Sequence, residues 1–80
     1  MKQMPELIAA QLVVEIMERF KRVPSCSDIQ AQHIQIVPIQ AKGTGPNWIA
    51  NIDLPMSNLA KMEAKAAIDE VRGTFALKRG

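Results

Sequence analysis

The chain has few of the residues that usually carry chemistry. It holds one cysteine, one histidine, one tryptophan and no tyrosine in 80 residues. One cysteine excludes an internal disulfide and suits a reducing compartment. Cys26 and His33 supply two metal ligands where a structural zinc needs four, so no metal or other cofactor is expected. His33 has only Cys26 and Asp28 near it in sequence, and these form no recognisable nucleophile–base–acid signature. It reads as a solvent-facing strand histidine, and Cys26 as an ordinary thiol. No enzyme is expected. Net charge is also slight, formally +2. That is too slight to imply a nucleic-acid partner, and a lone tryptophan makes no stacking platform. No apolar run approaches the roughly 20 residues of a membrane span. Residues 1–20 could pass for a signal peptide. Glu6, Gln11, Glu15 and Glu18 interrupt them at helical spacing, so they read as a core helix in a cytoplasmic protein.

What is present is a core. Apolar residues make up 48% of the chain, enough for one small domain over 1–80. The final segment, Ser57 to Leu77, carries Ala64, Ile68, Val71 and Phe75 at helical spacing, with Lys61, Lys65, Asp69 and Arg72 opposite. Ser57 or Asn58 caps it. Gly73 stands where a left-handed residue would end the helix. Phe75 and Leu77 alternate after it, as a short strand or a strap over the core. At the other end, Pro5 suits the first turn of a helix whose stripe is Ile8, Leu12, Ile16 and Phe20. Glu15–Arg19 and Glu18–Arg22 are favourable pairs at i,i+4. Val23-Pro24 closes that helix.

Between the helices the period changes to two. Ile34 and Ile36 alternate with His33 and Gln35. Trp48, Ala50, Ile52 and Leu54 alternate with Ile49, Asn51 and Asp53. Ala41 to Pro46 is the glycine-rich turn of a hairpin. It matches neither the P-loop nor the dinucleotide spacing. Pro38 cannot donate to a ladder, so the first strand is an edge, is bulged, or ends there. The fold class is α+β, in α-β-β-α order with a short C-terminal strand as an option. Two helices pack on one face of a small antiparallel sheet. Ile8, Leu12, Ile16, Phe20, Trp48, Ile52, Ile68, Val71 and Phe75 are the expected core.

Two resemblances bear on function. The run Lys61-Met62-Glu63-Ala64-Lys65-Ala66-Ala67, with Gly45-Pro46 before a strand, resembles double-stranded-RNA-binding domains. It would imply phosphate contacts from Lys61 and Lys65, with Lys42 a further basic residue for such a surface. The match departs from the family pattern in three places. Met62 takes the second lysine position. Asp53-Leu54-Pro55-Met56 replaces the glycine-rich lead-in, and a middle strand is missing. Gly45-Pro46-Asn47-Trp48 and the ending Val71-Arg72-Gly73-Thr74-Phe75-Ala76-Leu77 resemble short uncharacterised bacterial proteins of alphaproteobacterial chromosomes and prophages. That resemblance implies a compact α+β fold and no activity.

The expected role is a small, non-enzymatic interaction module, acting by self-association or by binding a protein partner. Helices on one side leave the other sheet face, with Val37, Ile39 and Ile49, and an unpaired edge. A two-fold dimer through that face or the second strand's edge is the simplest arrangement. Nucleic-acid binding through Lys42, Lys61 and Lys65 is the alternative.

Overall fold

A computed structural model describes residues 5–40, 43 and 45–78. It is an α+β fold in the order β1 (Glu6–Leu7), α1 (Ala9–Phe20), β2 (Ile34–Pro38), β3 (Trp48–Ile52), α2 (Asn58–Thr74) and β4 (Ala76–Leu77), with short 3₁₀ turns at Pro24–Cys26 and Ala31–His33. The two interior strands and two helices fall where periodicity puts them. Of the flanking dipeptide strands, β4 falls where the Phe75/Leu77 alternation offers a short strand, while β1, whose partner is distant in sequence, has no local pattern to reveal it.

Helix α1 begins later than Pro5 suggests. Pro5 precedes β1, and Ile8 is the N-cap residue in extended conformation. Ile8 has no side-chain acceptor to offer the first turn. The Gln11 side chain reaches back instead and accepts the Ile8 N–H at 3.2 Å, half of a capping box. Ile8 therefore leaves the expected core and is 51% exposed. Leu12, Ile16 and Phe20 are buried as one stripe. Glu15 pairs with Arg19 as the spacing requires. Glu18 takes Lys21 rather than Arg22, because i,i+3 neighbours lie as close on a helix as i,i+4.

Helix α2 is capped by Ser57, whose Oγ accepts the Ala60 N–H. It buries Ala60, Ala64, Ala67, Ile68 and Val71. Alanines on this face let the helix sit close against its neighbours. Gly73 does not end it. The only positive φ among the described residues is at Gly43, in the hairpin loop, and α2 continues through Gly73 until the Phe75 N–H bonds Val71 O. Arg19 ties the helices together: Nη1 bonds Glu15, and its buried Nε lies 3.4 Å from Glu70 Oε1 without forming a hydrogen bond.

Strands β2 and β3 pair antiparallel, with Ile34↔Ile52, Ile36↔Ala50 and Pro38↔Trp48 among the partners. These partners form the inward face. Trp48 is fully buried and Ile34 nearly so. Ile52 and Phe75, expected in the core, pack against it half-buried, while Cys26, Ile29 and Leu77 are central to it. The C-terminal strand exists but does not extend the hairpin ladder. It pairs with β1 in parallel, Glu6↔Ala76 and Leu7↔Leu77. Its other side meets the hairpin through side chains. The Asn47 amide donates to Leu77 O and accepts from Leu77 N–H, as a strand's own peptide group would. The Trp48 indole N–H donates to Phe75 O at 3.0 Å.

Candidate interaction groove at the β3 edge

The hydrogen bonds that flank the hairpin decide which way each backbone group points. Asp53 N–H donates to His33 O, and Ile39 N–H to Asn47 O. In an antiparallel ladder bonded pairs alternate with non-bonded ones, so Gln35–Asn51 and Val37–Ile49 are the bonded pairs between them. Ile34, Ile36 and Pro38 on β2, and Trp48, Ala50 and Ile52 on β3, direct their N–H and C=O groups away from the hairpin. The two outer edges then differ. On β2 the Ile34 N–H is already held by Ala31 O and Pro38 has no N–H to offer, so Ile36 alone presents an outward donor, and the proline ends the strand and blunts that end of its edge. On β3 the Trp48 carbonyl is taken by Arg72 Nε at 2.8 Å. No side chain or backbone group among the described residues bonds the outward groups of Ala50 or Ile52.

That open edge faces a groove of about 400 Å³ lined by Ile49, Ala50, Asn51 and Ile52 and, across from them, by α2. Four consecutive strand residues cannot all present side chains to one side, because they alternate. The groove therefore runs along the strand's edge. Its apolar lining includes Leu54, Met56, Ala64 and Ile68, and its α2 wall carries Lys61, Lys65, Asp69 and Arg72. Lys61 forms no ion pair among the described residues. Lys65 reaches Asp69 only at 3.7 Å with its own side chain 81% exposed, a pair worth little in water. Arg72 Nη1 stands 3.4 Å from Asp69. Three cations against one carboxylate leave this wall positive.

The residues singled out from sequence divide over several surfaces. Lys61 and Lys65 come together on the groove wall; Lys42 lies outside the described residues. Val37 and Ile49 are cross-strand partners on the outward face and Ile39 follows β2, all three half-buried. Ile49 also borders the groove. Side-chain alternation groups Ala50 and Ile52, whose backbone forms the open edge, with the core. Periodicity reports faces and is silent about edges.

The other chemistry-bearing residues stand apart. His33 ends a 3₁₀ turn ahead of β2 rather than lying in the strand, and its Nδ1 accepts the Gln30 N–H. Cys26 is buried, with Sγ 3.8 Å from Ala60 O. Pro24 opens the 3₁₀ turn that carries Cys26, and Ser25 Oγ donates to Glu63 at 2.8 Å. Among the described residues no three of His, Cys, Asp and Glu cluster as metal ligands, and no helix is long and apolar enough to cross a membrane. Burial sets the reactivity of Cys26. A thiol reagent such as dithionitrobenzoate should label the native protein at least about 100-fold more slowly than the urea-unfolded chain, since access requires opening. Equal rates would place the thiol at the surface.

Compared with protein-family models, curated proteins and solved structures, the chain matches none.

Proposed function

We propose that the protein is a non-enzymatic interaction module that binds an extended segment of another protein by adding it as a strand to β3. One observation carries this reading. The outward N–H and C=O groups of Ala50 and Ile52 line a groove whose far wall is α2. A strand edge with unfilled backbone groups recruits another strand, and natural edges are usually blunted against that outcome. Here β2 is left with one outward donor, at Ile36 between the bonded Ile34 and Pro38, whereas β3 keeps two in succession, at Ala50 and Ile52. Main-chain bonds along such an edge supply affinity, and the adjoining groove supplies selectivity.

Self-association remains the second reading. The outward Val37/Ile49 pair, with Ile39 beside it, is apolar and half-exposed, and a two-fold axis would let that patch cover itself. Nucleic-acid binding draws on Lys61 and Lys65, but Asp69 shares their flank, and three cations make a small phosphate footprint.

Sedimentation and amide exchange separate these readings. From about 10 to 500 µM the chain should sediment as a monomer. In the free protein the Ala50 and Ile52 amides should exchange at least about tenfold faster than those of Ile49 and Asn51, which the ladder protects. Equal protection of all four amides would show the edge already occupied and remove the reading; a dimer that leaves the Ala50 and Ile52 amides fast would instead establish the Val37/Ile49 face as the interface.

A further inference from the structure

The open edge admits a strand; the wall opposite it selects the strand's charge. Resting on the reading just given, we propose that the segment taken up at β3 is acidic, with carboxylates two positions apart that meet Lys61 and Lys65, and an apolar side chain beyond them over Ile68. Spacing carries the argument. Lys61 and Lys65 are one helical turn apart, about 6 Å along α2. Side chains on one face of a strand recur every two residues, about 6.7 Å. A strand lying between β3 and α2 therefore presents successive same-face side chains nearly in step with these lysines. Neither lysine has a strong competing partner: Lys61 has no ion pair among the described residues, and Lys65 has only its long contact to Asp69. Their aliphatic stems can lie along the Ala64–Ile68 lining while the ammonium groups meet the incoming carboxylates. Ile68, Leu54 and Met56 offer the apolar lining for the next inward side chain.

A second copy of this chain fits the groove poorly. Its β3 would bring Trp48 to Ile52, WIANI, with no carboxylate. The antiparallel two-fold pairing of β3 with its copy would also carry that copy's α2 to the same side of the sheet, where the first α2 already forms the wall. A lone extended segment brings no such helix.

The test uses the whole chain and an unbiased library of random eight-residue peptides displayed on phage. Selected sequences should be enriched in Asp or Glu at i and i+2. Synthesised, they should slow exchange at the Ala50 and Ile52 amides specifically and bind more weakly as salt rises. Lys61→Glu with Lys65→Glu should weaken the acidic peptides roughly tenfold or more and turn a repeated selection toward basic residues. Lys61→Gln, a milder change, should weaken them less and leave the unfolding midpoint unchanged. Ala50→Pro removes the central outward N–H without touching a ladder bond and should abolish binding of every selected peptide. Peptides that protect Ala50 and Ile52 but show no acidic bias would overturn the charge selection and leave strand addition standing. Failure to select any peptide that protects those amides would overturn both.

Discussion

Trp48→Ala should leave the chain without a cooperative unfolding transition. Trp48 is the largest fully buried side chain, and truncating a buried aromatic residue costs about 3–5 kcal/mol. Its indole N–H holds Phe75 O, and an acceptor left unpaired in a partly buried place adds roughly 1 kcal/mol. A chain of this length has a total stability of about 4–12 kcal/mol, so the loss consumes much or all of it. Trp48→Phe keeps most of the buried ring and removes the donor. It should remain folded, with a lower urea midpoint. Far-UV circular dichroism against urea checks both variants. A Trp48→Ala protein within about 1 kcal/mol of the parent would mean that the tryptophan is not the hub of the core.

Ending the chain after Thr74 should be almost as damaging, although it deletes only the last strand and a few residues around it. Leu77 is buried against the core cluster, and losing such a side chain costs about 2–5 kcal/mol. The same cut strips β1 of its partner, leaves both polar ends of the Asn47 amide without the Leu77 backbone, and frees the Trp48 indole N–H. Tolerance to truncation depends on the burial and bonding of the deleted backbone rather than its distance from the middle of the sequence. Thermal unfolding monitored by circular dichroism should show a broad transition or none. A melting temperature within a few degrees of the parent would show that the tail merely decorates the fold.

How far the sequence disclosed this architecture depends on how local each signal is. The stripe Leu12, Ile16 and Phe20 and the face Ala60, Ala64, Ile68 and Val71 repeat within a single element, so periodicity places both helices. The alternation through Trp48, Ala50 and Ile52 places β3, and the matching run at Ile34 and Ile36 places β2. Boundaries were less legible. Pro5 and Gly73 carry strong local preferences, yet Pro5 sits ahead of a dipeptide strand, and Gly73 stays helical because α2 keeps its backbone bond from Phe75 to Val71. Two-residue strands have no period to read, so β1 was hidden and β4 was an option without a partner. The groove was half visible. Lys61 and Lys65 announced themselves as a pair on one flank, while the strand edge facing them depends on which backbone groups the hairpin register turns outward.

The parallel pairing of Glu6–Leu7 with Ala76–Leu77 also bears on how this chain folds. The two strands lie 70 residues apart, Glu6 to Ala76, so their contact closes the longest loop among the strand pairings of this fold. Loop-closure entropy makes such contacts the slowest to nucleate. Helices α1 and α2 and the β2–β3 hairpin can each form from neighbouring residues, but the seam that joins the two ends waits for both to be in place. On a ribosome that seam cannot close until the C-terminal strand has emerged. Until then Trp48 lacks the Phe75 carbonyl and Leu7 its strand partner, so the core is completed only when segments 70 residues apart have met.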